Sequence, residues 1–118
     1  MNRLTESGAR IMVQHLTKVF VATTPAAESE NEWVGRALRL QQQLGRILGT
    51  TPRHCDIEEL VTTFEELDSV EAGTHPDLVR NQAGTVDNTQ LLTDHLMQRL
   101  NQETTALLEH AHFGQAVA

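Results

Sequence analysis

Residues 56–70 read Asp56-Ile-Glu-Glu-Leu-Val-Thr-Thr-Phe-Glu-Glu-Leu-Asp-Ser-Val70. Ile57, Leu60, Val61, Phe64, Leu67 and Val70 recur at steps of three and four, which places them on one side of an α-helix and leaves most of the acids on the others. The ends are marked as well. Asp56 is of the type that caps a helix N-terminus, Glu58 and Glu59 suit the positive end of the dipole, and Gly73 can stop the helix. A half-buried strand would need alternation with period two, which this stretch lacks. The expected element is a helix over 56–72.

Working outward, residues 25–48 carry two adjoining apolar seams, Trp33-Ala37-Leu40-Leu44-Ile47 and Val34-Leu38-Gly45-Leu48. Thr24 followed by Pro25 suggests an N-cap and first helical residue, Glu28, Glu30 and Glu32 lie in the first turns, Arg46 lies near the end, and Gly49 can cap it. Upstream, Ala9, Met12, Val13, Leu16, Val19 and Phe20 form one stripe of a helix over 5–22. Downstream, Thr74 to Val86 holds His75-Pro76, Asn81 and Gly84 and is expected to be a looser connection with one short turn around Asp77 to Arg80. Asp87 with Gln90 has the capping-box spacing for a fourth helix over 87–113, stopped by Gly114, with Gln115 to Ala118 expected to fray. No hairpin signal separates alternating apolar runs.

The predicted fold is therefore all-α, a single domain over 1–118 built as an antiparallel four-helix bundle. The polar middle of the last helix, from Asn101 to Thr105, suggests a bundle completed by dimerisation. The two seams of the second helix are too apolar for one neighbour and can be satisfied inside the bundle or by a second copy of the chain. They make Trp33, Val34, Leu38, Gly45 and Leu48 the candidate interface residues, with Gly35 and Gly45 permitting close helix approach.

Nine basic residues against sixteen acidic ones give a net charge of -7, which repels phosphate backbones and anionic lipid, so neither nucleic acid nor a membrane surface is an expected partner. Cys55 is the only cysteine, which excludes an internal disulfide and suits a reducing compartment. The N-terminal residues lack the apolar core of a secretion signal, and no apolar run nears the roughly 20 residues of a membrane span. A cytoplasmic location is expected.

Candidate chemistry is sparse. His110 and His112 are two apart on a helix and cannot face one ion, and Glu109-His112 lacks the second Glu-x-x-His motif that a di-iron bundle requires. His54, Cys55 and Glu58 cluster at the start of the third helix without an identifiable orienting group or oxyanion site. Glu28 and Glu32, four apart, and Glu65 and Asp68, three apart, each share a helix face where acids can hold a hard cation.

Those two pairs resemble the carboxylate helices of the all-α nucleotide pyrophosphohydrolases of the MazG type. That resemblance implies a Mg²⁺-dependent enzyme holding the metal with Glu28, Glu32, Glu65 and Asp68. It covers two short motifs, and the first is incomplete, since only Glu28 and Glu32 match a Glu-Glu-x-x-Glu helix. Read from the residues alone, Asp68 at the edge of the apolar stripe calls for solvent or a basic partner such as Arg39, Arg46 or Arg99. The expected role is thus a small helical interaction or accessory module, self-associating or binding a protein partner, with no cofactor. The Mg²⁺ enzyme is the alternative.

Overall fold

The computed structural model describes residues 5–24 and 29–113. Four helices account for most of them: α1 (Glu6–Thr23), α2 (Glu30–Leu48), α3 (His54–Glu71) and α4 (Thr89–His110). No strand occurs among the described residues. A lone antiparallel bridge joins Arg80 and Val86 in the α3–α4 connection. The helix–helix contacts are those of a four-helix bundle in which α3 packs against each of the other helices and α1 does likewise, leaving α2 and α4 across the bundle from one another.

The core is aliphatic, as the composition requires. Ala9 and Val13 of α1, Leu40 and Leu44 of α2, Ile57, Leu60 and Val61 of α3, and Leu100, Leu107 and Leu108 of α4 form one cluster. The α1 stripe is rotated relative to its apolar pattern: Thr17 is fully buried, whereas Met12 and Val19 reach solvent. Burial of Thr17 is tolerated because its hydroxyl donates to the Val13 carbonyl at 2.7 Å, and Thr104 uses the Leu100 carbonyl in the same way.

The starts of α3 and α4 differ from the local sequence signals, and each time a partner elsewhere claims the capping group. Thr24 ends α1, while α2 is capped by Ser29, whose hydroxyl accepts from the Glu32 N–H at 3.2 Å. The expected start at Pro25 and the first-turn Glu28 lie outside the described residues. Asp56 does not cap α3, because the helix begins at His54 and Asp56 turns inward to Arg53 and His110. The Asp87–Gln90 capping box does not form. Asn88 flanks α4 and spends its side chain on the Val79 N–H and the Asp77 carbonyl, and Gln90 turns to Asp94.

Two C-termini close in Schellman motifs. After α3, the N–H groups of Gly73 and Thr74 donate to the carbonyls of Val70 and Ser69, with Gly73 at φ 75°. After α4, those of His112 and Phe113 donate to Glu109 and Leu108, with His112 at φ 56° in the left-handed region. The helix therefore closes before Gly114, the expected stop, which lies outside the described residues together with 115–118.

The connection over 74–88 is more ordered than its composition suggests. Asn81 Oδ1 accepts from the N–H groups of Ala83 and Thr85, Asn81 Nδ2 donates to Asp87, and Arg80 donates to the Gly73 and Gly84 carbonyls. The link after α2 doubles back along that helix. Gln41 Nε2 donates to the Pro52 carbonyl at 2.7 Å, and a Cβ on Gly45 would lie 3.6 Å from Thr50 O. Of the candidate interface residues, Leu48 is buried, Trp33 is half-buried against the core, and Gly45 is packed under the link. Val34 and Leu38 face outward.

Leu60 of the α3 stripe is fully buried, whereas Leu38 of α2 is exposed. Leu60→Ala is expected to destabilise the fold by about 2–5 kcal/mol, and Leu38→Ala by about 0.5 kcal/mol or less, both measured by urea unfolding. Equal costs would show that α2 is packed differently.

Candidate functional site

Two polar clusters tie α3 to α4. At one end, Asp56, 3% exposed at its side chain, receives Arg53 Nε at 2.9 Å and Arg53 Nη2 at 3.0 Å, and lies 3.1 Å from His110 Nδ1. His110 Nδ1 is also 2.8 Å from Arg53 Nη2. One ring nitrogen cannot both donate and accept. Next to a desolvated carboxylate, the donating tautomer is the favoured one. Burial alone would push the Asp56 carboxyl up, but hydrogen bonds from Arg53 and His110, with their charges, outweigh it and hold it below the ordinary aspartate range.

At the other end, Glu66 joins three elements. Its carboxylate is bonded to Arg99 of α4 and lies 3.1 Å from Nε2 of His75, a residue only 5% exposed in the connection. His75 Nδ1 accepts from the Asp77 N–H at 3.0 Å, so Nε2 carries the proton and donates to Glu66. Here too burial raises the carboxyl, and the Arg99 and His75 bonds bring it below its usual value. Thr63 sits between the helices. Its hydroxyl accepts from Arg99 Nε at 3.1 Å, and its one proton serves the Glu59 carbonyl or Glu103, with which it is in hydrogen-bond contact. Burial dominates for Glu103 and pushes it above the ordinary range despite the Thr63 bond and the Arg99 charge.

Arg99, one of the basic partners expected for Asp68, is therefore committed to Glu66. Asp68 is exposed and Glu65 is half-buried on α3, while Glu32 is exposed in the first turn of α2. Glu28 lies outside the described residues. Among the described residues no three His, Cys, Asp or Glu side chains group as a metal site. Cys55 is exposed beside a shallow cleft lined by Glu58, Glu59, Glu66 and Glu103. His54 faces the Trp33 ring with centroids 5.8 Å apart. No helix among the described residues is long and apolar enough to cross a membrane.

A groove of about 570 Å³ is walled by α1 and α4 and floored by α3. The walls are joined where Arg10 Nη1 donates to Thr105 Oγ1 at 2.9 Å and Gln14 Nε2 to Thr104 Oγ1 at 3.0 Å. Thr89, Thr93 and Met97 of α4 line the groove N-terminal to that junction. Ile11, Phe64, Leu67, Val70, Met97 and Leu100 supply its apolar lining. Along α1 the lining runs from Ile11 through His15 to Lys18, and along α3 Phe64 and Leu67 are followed by Asp68 and Glu71 with Val70 between them. Ile11 is 66% exposed and Met97 41%. None of the described ion pairs uses Lys18, Asp68 or Glu71. Comparison with protein-family models, curated proteins and solved structures gives no match to this chain.

The two directions of carboxyl shift give opposite acid responses. A lowered folded value at Asp56 contributes stability above the unfolded value of about 3.9, lost as pH falls through the folded one. Asp56→Asn should therefore be less stable than the parent at neutral pH, with the gap closing in acid. A raised value at Glu103 means that the folded state holds that proton more tightly. Glu103→Gln should match or exceed the parent at neutral pH and lose its advantage as the parent's Glu103 protonates. Urea unfolding over a pH series measures both, and parallel curves would contradict the assignment.

Proposed function

We propose that this chain is a helical protein-interaction module whose contact surface is the groove between α1, α3 and α4. The carrying observation is that groove itself: core side chains of α3 and α4, Phe64 and Leu100 among them, continue into an unroofed apolar trough beside exposed Ile11 and Met97. Two helices form its walls and a third its floor, so the vacant shape is one that a further helix fills in a bundle. Met97 adds an adaptable contact, since an unbranched thioether can repack around different side chains.

The polar clusters favour binding over catalysis. Asp56 and Glu66 receive their hydrogen bonds from within the fold, and using either as an acid or base would break the α3–α4 seam. The exposed charges of the groove are placed to select a partner instead.

A photo-crosslinking residue at position 11 or 97 tests this in the intact chain. Discrete protein adducts are expected from both positions and none from position 43, which is exposed on α2. Absence of adducts from the groove positions, or equal adducts from position 43, would remove the groove as the contact surface.

A further inference from the structure

We infer that the groove is closed by a second copy of this chain, packed about a two-fold axis so that Ile11 of each copy enters the apolar trough of the other and Lys18 of each meets Asp68 and Glu71 of the other. The inference rests on the reading of the groove as an interaction surface and specifies its occupant.

A two-fold interface uses the same patch twice, so the patch must complement itself. This one has the required parts. It offers a protruding apolar side chain, Ile11 at 66% exposure, next to a trough that can receive it over Phe64, Leu67 and Leu100. It also offers both signs of charge on different helices, Lys18 on α1 against Asp68 and Glu71 on α3, with none of the three in a described ion pair. A uniformly cationic partner helix would satisfy the two acids and repel Lys18, and an anionic one the reverse. A second copy places each sign opposite its complement, twice over. The apolar centre supplies attraction and the flanking charges fix orientation.

The overall charge of -7 opposes association of identical chains at long range, so the pairing depends on these local contacts. The groove acids are thereby assigned a partner: Asp68 and Glu71 answer the α1 cation of the other copy.

Sedimentation velocity and light scattering on the intact chain over a concentration series test the inference. The parent should show a monomer–dimer equilibrium. Lys18→Glu should weaken it about 10- to 100-fold, and Asp68→Lys with Glu71→Lys should do the same. A chain carrying all three changes should return to within about threefold of the parent, because the reversed charges again face their complements. All three positions are exposed, and circular dichroism melts check that the variants fold. Leu38→Asp on the outer face of α2 should leave the dimer intact.

A parent that stays monomeric throughout, or a dimer broken by Leu38→Asp and indifferent to the charge reversals, overturns the inference. A crosslink from position 11 or 97 whose mass is not twice that of the chain also overturns it, while upholding the groove as a binding surface. Absence of any groove crosslink removes both readings.

Discussion

The apolar stripe of α3 is the constraint around which the other helices are arranged. Ile57, Leu60 and Val61 are fully buried and Phe64 nearly so, which no single neighbouring helix could achieve. A stripe of that width needs elements on both flanks, and α1, α2 and α4 all pack against it. Coverage is complete over the first half of α3 and less even over the second, where Phe64 and Val70 are buried. Leu67 is only half-buried, and Asp68 and Glu71 reach solvent along the same face. The groove is thus the unfinished part of the α3 core.

Polar contacts fix how α4 lies on that stripe. Asp56 and Glu66 are ten residues apart on α3, about 15 Å along the axis, and their partners His110 and Arg99 are eleven apart on α4, about 16.5 Å. The near match, in reversed order, specifies an antiparallel pair and its register. Leucines alone would tolerate a slide by one turn, whereas a slide here would strand the buried Asp56 carboxylate and part the half-buried Glu66 from Arg99. His75 extends the same logic to the connection by bridging the Asp77 backbone and Glu66, which docks the residues after α3 against the helix they follow.

Much of this was legible in residue spacing, and the exceptions have a common cause. The stripe of α3, the Leu40–Leu44 seam of α2 and the presence of four helices follow from periodicity, which is local. The caps of α3 and α4 do not, because Asp56 is claimed by a histidine 54 residues away and Asn88 by the backbone of Val79 and Asp77. Spacing does not set Glu66 apart from Glu65 and Asp68, although of the three only Glu66 reaches both Arg99 and His75. Its signal would have been the pairing of an acid on the α3 edge with the lone arginine of α4. The groove was not legible at all, because the separation of α1 from α4 beyond Gln14 is a relation between helices. Ile11 stands outside the α1 stripe, and only the three-helix arrangement places it at the groove.

The division of labour among the charged residues follows from burial. Arg36 is a buried charge whose Nε is left without a hydrogen bond among the described residues. It is 6% exposed, and its guanidinium lies 5.4 Å over the Phe20 ring, whose face offers the charge an attractive contact. Asp56 and Glu66 are bonded to their partners and are thereby committed to holding the fold. Lys18, Asp68 and Glu71 enter no described ion pair, stay hydrated, and can change partners at little expense. Charges of that kind do little for a monomer's stability. Set along an apolar trough, they would discriminate between partners under the proposed reading of the groove, because a mismatched approach leaves such charges unpaired or facing like charge as water is expelled.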